Sequence, residues 1–221
     1  DTEIIIQHIA KKYKIIEYAI PTYYGDEISY VNGFHYAFNI IKETLLYKLQ
    51  KIGIFHQDKY SDNIEHYEDK SFFESTHSLA IKEVKDNSSI IDLGASNAKY
   101  LHYLKTKKNC YLKIVNKFSV KKNVNIDEEE VIDLDYNIPK NINKFDYVFL
   151  LDVIEHLKEP ELFIKNLYNE LSNNQKIIAS TGNNSFIIIR LMLLFGYFNY
   201  GNRGILDKTH TSLFTFTSFK K

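Results

Sequence analysis

Five short apolar runs separated by helix-sized spacers constrain what this chain can fold into more than any other feature. The runs are Ser89 to Leu93, Tyr111 to Asn116, Glu129 to Asp133, Phe145 to Leu151 and Lys176 to Thr181. Tyr147-Val-Phe-Leu-Leu151 is apolar at every position instead of alternating, which predicts a strand covered on both faces. Helical spacing fills the gaps, from about Ala98 to Lys107 and from about Pro160 to Leu171. Pro160 suits a first helical turn, and Phe163, Leu167 and Leu171 share an inward face. A further helical signal near Ser75 to Lys85 precedes the first strand, and only a short helix or a loop fits between the second and third. This alternation predicts an α/β chain with a doubly wound, Rossmann-like parallel sheet and a ligand beyond the carboxyl ends of its strands.

Residues 1–54 read differently. Ile5, Ile6, Ile9 and Tyr13 recur at helical spacing, and Lys14 to Ile20 is β-rich and stopped by Pro21. A helix from Gly33 to Lys51 follows, with Ile41, Leu45 and Leu49 on one stripe. Two helices and a strand cannot close a sheet, so this appendage reads as the end of something larger, and its opening in mid-helix as that of a fragment. Residues 55–70 are polar and lack an apolar period, which predicts a linker to residues 71–221.

Lys plus Arg and Asp plus Glu number 28 each, so no long-range field favours nucleic acid or an anionic membrane. A small polar or uncharged substrate is the expectation. The single cysteine, Cys110, excludes an internal disulfide and has no neighbours at zinc-ligand spacing. With Asp1-Thr-Glu3 in place of a signal-peptide start, this favours a cytoplasmic setting without a metal centre. The apolar run from Phe186 to Phe198 is interrupted by Arg190 and Gly196 and is shorter than the ~20 residues that span a bilayer. It reads as a buried helix, with peripheral membrane contact as the alternative.

The first strand turns through Gly94-Ala-Ser-Asn-Ala98 into a helix, where small residues let backbone N–H groups approach a ligand. Asp92-Leu-Gly94-Ala-Ser96-Asn-Ala98 resembles the first motif of class I S-adenosylmethionine-dependent methyltransferases, an acid followed by Gly-x-Gly-x-Gly. The resemblance implies that Gly94, Ala95, Ser96 and Asn97 wrap the methionine part of S-adenosylmethionine, with Asp92 anchoring the loop or the cofactor's ammonium. Ser96 and Ala98 replace two of the three glycines. A dinucleotide-binding domain is the competing reading of the same loop, and both need an acid about 20 residues on for ribose. That position is Asn116, which makes neutral hydrogen bonds only. Asp133-Leu134 matches the position of the family acid that meets the adenine amino group, with a helix-cap or surface acid as the alternative.

Phe145-Asp-Tyr-Val-Phe-Leu-Leu-Asp152-Val-Ile-Glu155-His156-Leu, followed by Lys-Glu-Pro160, resembles the methyltransferase string FDxVxxxDVxEHLxxP. It implies that Asp152 serves the cofactor while Glu155 and His156 meet the acceptor. A histidine there can take an acceptor's proton, or Glu155 and His156 can orient the following loop. Ser180 to Asn184 and Gly204-Ile-Leu-Asp207-Lys-Thr209-His210 resemble a subgroup with SxPN and GxLDxTH, in which Pro usually stands where this chain has Gly182. Arg190, Asp207, Thr209 and His210 are the acceptor-recognition candidates. Two further antiparallel strands close the sheet in that family, and without them an exposed edge is expected.

Residues 1–34 resemble the tail of family-2-type, dolichol-phosphate-mannose-synthase-like glycosyltransferases, which occur fused to methyltransferases. The resemblance implies a methyl acceptor that is small or lipid-linked, such as a sugar of cell-envelope polysaccharide synthesis. Two other functions stay open: a catalytically impaired S-adenosylmethionine-binding module, and a glycosyltransferase fragment acting with a missing domain.

Overall fold

The computed structural model describes residues 2–21, 23, 25, 31–51, 56–60, 75–95, 100–119, 125–202 and 204–221. Five strands, β1 (Ser89–Leu93), β2 (Tyr111–Asn116), β3 (Glu128–Val131), β4 (Tyr147–Leu151) and β5 (Lys176–Ser180), form one sheet in the order β3-β2-β1-β4-β5. Every pairing is parallel. The helices are α1 (Thr2–Ala10), α2 (Gly33–Lys51), α3 (Thr76–Glu83), α4 (Tyr100–Lys107), α5 (Pro160–Glu170), α6 (Ile187–Leu194) and the single turn α7 (Phe216–Phe219). The strand order reverses between β1 and β4, so the doubly wound α/β architecture expected from the apolar runs is the one observed.

Because successive strand residues point to opposite faces, the sheet divides its side chains between two cores. Ile90, Leu112, Ile114, Tyr147 and Phe149 pack with Ala80, Ile81, Leu101 and Leu104 of α3 and α4. Ile91, Leu93, Val115, Val148 and Leu150 pack with Phe163 and Leu167 of α5. Helices thus cover both faces, which is why β4 can be apolar throughout and is buried at all five positions. Cys110 belongs to the first core as a free, buried thiol. Ser75 caps α3, its Oγ accepting from Ser78 N–H while Ser78 Oγ accepts from Ser75 N–H.

The chain divides into two compact units: residues 1–66 with 186–208, and residues 67–185 with 209–221. The second holds the whole sheet. The linker expected at 55–70 is partly docked within the first unit. Residues 58–60 make a 3-10 turn, Tyr60 is 2% exposed, and its hydroxyl donates to Glu43 Oε2 of α2 at 2.6 Å. Lys59 bridges the same carboxylate at 2.8 Å and Glu3 of α1 at 3.1 Å. Residues 61–70 lie outside the described residues.

Two expectations for the appendage fail. Lys14 to Ile20 is not a strand: it has no regular structure, and Ile15, Ile16, Tyr18 and Ile20 are exposed. A strand needs an edge to pair with, and the described residues of its unit offer none beyond an isolated bridge between Gly201 and Asp207. On α2, Ile41 and Leu45 are exposed, while the polar face carrying Glu43 meets Lys59 and Tyr60. Ion pairing and a Tyr47–Tyr60 edge contact at 5.6 Å, not the aliphatic stripe, set the orientation of this helix within its unit.

Candidate active site

The carboxyl ends of β1 and β4 meet at the reversal of strand order, where an open α/β sheet leaves a crevice. β1 ends in Asp92 and Leu93, and Gly94 follows in the turn. Gly94 adopts φ +79°, and its N–H donates to Val115 O at 2.7 Å. A Cβ built there would stand 2.7 Å from Val153 Cγ2. The glycine is therefore required twice, by its left-handed backbone and by the approach of the turn that follows β4. Ala95 is buried, whereas Ser96, Asn97 and Ala98 lie outside the described residues.

Asp92 is 2% exposed and accepts a hydrogen bond from the Tyr100 hydroxyl at the start of α4. Burial pushes its carboxyl up to about 7, against the lowering pull of that hydrogen bond. The same burial, reinforced by the Asp92 charge, holds the Tyr100 phenol well above its usual value. Asp92 thus anchors the helix that leaves the loop.

Asp152 opens the turn after β4 in a left-handed conformation, φ +55°, which costs a non-glycine residue roughly 1–2 kcal/mol. Ser180 at the end of β5 offsets that cost. Asp152 N–H donates to Ser180 O and Oγ, each at 3.1 Å, and Ser180 Oγ donates to Asp152 Oδ1 at 2.7 Å. Ser180→Ala is expected to destabilise the fold by roughly 1–2 kcal/mol in urea titration, the cost of stripping a half-buried carboxylate of one donor. A change below about 0.3 kcal/mol would show that water replaces the hydroxyl.

The turn continues as a 3-10 segment, Ile154–His156. Glu155 is 3% exposed; Oε1 accepts from Gly182 N–H at 3.3 Å, while Oε2 is buried without a hydrogen-bond partner among the described residues. A proline at 182 would have no N–H to give. His156 Nδ1 lies 3.2 Å from Thr209 O. Since a carbonyl only accepts, Nδ1 carries the proton in neutral His156 and Nε2 presents a lone pair. The His210 ring stands edge-on to His156 with centroids 4.8 Å apart.

The remaining expected residues divide. Asn116 ends β2 at 7% exposure, and its carbonyl accepts from Ile132 N–H at 3.0 Å. Asp133, beyond the end of β3, pairs with Lys117 Nζ at 2.8 Å and accepts from Asp135 N–H at 3.1 Å. The Lys117 hydrogen bond, followed by that backbone N–H, holds its carboxyl below the usual range. Leu134 is buried in the second core. Arg190 and Asp207 belong to the other compact unit, Arg190 exposed on α6 and Asp207 buried at the bridge to Gly201. Sequence reasoning missed Tyr100, Ser180 and Thr211. Tyr100 carries a weak signal as a large polar aromatic shortly after a small-residue loop; Ser180 is marked only as the first residue of the SxPN-like stretch, without a role, and Thr211 carries no signal.

The chemistry of the donor set fits an adenosyl cofactor in part. Asp92, Asn116, Asp133 and Asp152 lie at or just beyond the carboxyl ends of four adjacent parallel strands, and they offer oxygens suited to ammonium, hydroxyl and amino groups. Against this, the Asp133 carboxylate is already engaged by Lys117. Among the described residues no group of three or more His, Cys, Asp and Glu is arranged for a metal ion, and no helix is long and apolar enough to cross a membrane.

The family model of the methionine biosynthesis protein MetW matches residues 74–199, more than half of the chain. No curated protein matches. Among solved structures the chain is similar to a SAM dependent methyltransferase from Archaeoglobus fulgidus, at 14% identity over 68% of each chain with a TM-score of 0.46. It is similar to plantazolicin methyltransferase BpumL, solved with a substrate analog and SAH, at 18% identity over 65% of this chain and 56% of that one (TM-score 0.44). Coclaurine N-methyltransferase, solved with N-methylheliamine and SAH, is 16% identical over 67% of this chain and 51% of its own, with a TM-score of 0.40. The chain thus spans about half the length of some of the structures it resembles, with coverage of 49–51%. The parallel strand order, and not these likenesses, defines its fold.

Proposed function

We propose, proceeding from the fact that this chain belongs to the MetW family, that it transfers a methyl group from S-adenosylmethionine to an oxygen or nitrogen of a small or lipid-linked acceptor. The observation that carries the reading is the meeting of the Gly94 turn with the Asp152–His156 turn at the strand-order reversal. In this reading Asp92, Gly94, Asn116, Asp133 and Asp152 hold the cofactor, with Ala95, Ser96, Asn97 and Leu134 around them. The cofactor supplies an electrophilic methyl on a sulfonium, and displacement by an acceptor depends chiefly on alignment.

The chain's own residues then orient the acceptor and take its proton. His156 Nε2 is left to act as the base because Nδ1 is committed to Thr209. Glu155 Oε2, buried and without a partner among the described residues, is suited to an acceptor hydroxyl or amino hydrogen. Thr209 and His210 flank this base; Arg190 and Asp207, in the other compact unit, are the further acceptor candidates. A sugar acceptor, and the assignment of residues 1–54 to a glycosyltransferase tail joined to a domain at 71–221, rest on resemblance alone.

A second reading, a binding module with impaired turnover, is favoured by two observations: a neutral Asn116 where ribose needs an acid, and an Asp133 held by Lys117. Calorimetric titration with S-adenosylmethionine and S-adenosylhomocysteine tests the cofactor part. Binding of both ligands is expected, and Asn116→Asp should tighten it about tenfold by adding charge-assisted hydrogen bonds. No heat up to millimolar ligand would falsify the cofactor assignment; binding without turnover on any acceptor would favour the second reading.

A further inference from the structure

Thr211 follows the two residues that flank His156 and grips the backbone on both sides of it. Its N–H donates to Glu155 O at 2.8 Å, and the next residue, Ser212, donates to the same carbonyl at 3.1 Å. The Thr211 hydroxyl lies 2.5 Å from Leu157 O and 3.2 Å from Glu155 O. A hydroxyl has one hydrogen, so the shorter contact to Leu157 is the principal bond. Carbonyls 155 and 157 are therefore both tied to a single residue, and His156 sits between them.

The consequence lies in what the same strand of chain presents. Two residues before Thr211, the Thr209 carbonyl meets His156 Nδ1 at 3.2 Å; one residue before it, the His210 ring packs edge-on at 4.8 Å. Further along, Asn184 N–H donates to Phe214 O at 2.7 Å, and Phe214 packs with Phe219 against the second core, anchoring the far end of the segment. Between that anchor and His156, the bonds of Thr211 and Ser212 set the register.

We propose that Thr211 is the positioning residue that fixes His156 in the Nδ1-protonated tautomer, leaving the Nε2 lone pair free to accept a proton. Its value to catalysis rests on the reading of His156 as the base, but the tautomer is a property of the protein by itself. Without the hydroxyl, the 209–212 segment keeps its N–H contacts to Glu155 but loses the tie to Leu157. The Thr209 carbonyl then no longer meets Nδ1 in one geometry, and the imidazole reverts to the Nε2-protonated form that free histidine prefers.

The test is nitrogen-15 NMR of the full chain labelled at histidine, recorded at pH 8, well above the pKa of about 6.5 of free histidine. The wild-type protein should show His156 with a protonated Nδ1 and a bare Nε2. Thr211→Val, which keeps the shape and the backbone N–H, should convert His156 to a majority of the Nε2-protonated form, and Thr211→Ser should restore the wild-type pattern. The exposed His102 on α4 should not change in any variant. A wild-type His156 already protonated on Nε2 overturns the proposal without any variant; so does a Thr211→Val protein, shown to be folded by its amide dispersion, that keeps the wild-type tautomer. Should Thr211→Val not fold, Thr211→Ala takes its place, with the same two outcomes. Calorimetry with S-adenosylmethionine separates this question from the functional one, because a failed cofactor assignment leaves the tautomer result intact.

Discussion

Gly94→Ala is expected to lower stability by roughly 2–5 kcal/mol and to abolish measurable S-adenosylmethionine binding. Two costs add. An alanine held at φ +79° pays the left-handed penalty of roughly 1–2 kcal/mol, and its Cβ, 2.7 Å from Val153 Cγ2, forces a buried side chain or the turn after β4 to move, for roughly 1–3 kcal/mol more. The second cost has a partner that can be removed. In Gly94→Ala/Val153→Ala the steric part should disappear, so a double-mutant cycle by urea denaturation is expected to give a coupling energy of about 1 kcal/mol or more. A Gly94→Ala protein within about 0.5 kcal/mol of wild type would mean that the loop relaxes freely.

Asp92→Asn is expected to stabilise the protein at pH 8 and to leave it nearly unchanged at pH 4. Burial raises the folded-state carboxyl from 3.8 to about 7. Below pH 4 both folded and unfolded chains are protonated there, and the group contributes nothing to the balance. Between pH 4 and 7 the unfolded chain releases the proton while the folded chain keeps it, so stability falls as pH rises. Above pH 7 the full penalty applies, at most about 4 kcal/mol for a difference of roughly three pH units. Asparagine stays neutral and still offers an oxygen to the Tyr100 hydroxyl, so chemical denaturation across pH 4–8 should show a flatter profile for the variant. If Asp92 also holds the cofactor's ammonium, the more stable variant should bind S-adenosylmethionine more weakly. A variant less stable than wild type at pH 8 would show that the ionised carboxylate has a stabilising partner.

Much of the sheet was legible because its signal is local. Ser89–Leu93 and Tyr111–Asn116 begin and end where their apolar runs do, since a central parallel strand is buried on both faces and admits few polar residues. Pro160 and the Phe163, Leu167 pair marked α5 for the same kind of reason. The Asp152–His156 string located the end of β4 and the turn beside Gly94. Lys14 to Ile20 shows the limit of such signals. Its β-rich composition describes what a segment would do beside a sheet edge, and no such edge lies in its compact unit among the described residues. The stripe on α2 fails likewise, because Lys59 and Tyr60 recruit the polar face through Glu43.

By itself, then, the sequence determined the α/β class, the positions of the five strands and the glycine and carboxylates at their carboxyl ends, because periodicity and turn chemistry act over a few residues. The tertiary structure decided which groups those carboxylates meet. Ser180 reaches Asp152 only because parallel pairing brings the ends of β4 and β5 to one side of the sheet, whereas Tyr100 reaches Asp92 over eight residues, from the first turn of α4. Thr211 grips the backbone around His156 across more than fifty residues of chain. The Ser180 and Thr211 contacts depend on chain crossings that no local pattern encodes, and it is they that fix the Asp152 backbone and the His156 tautomer.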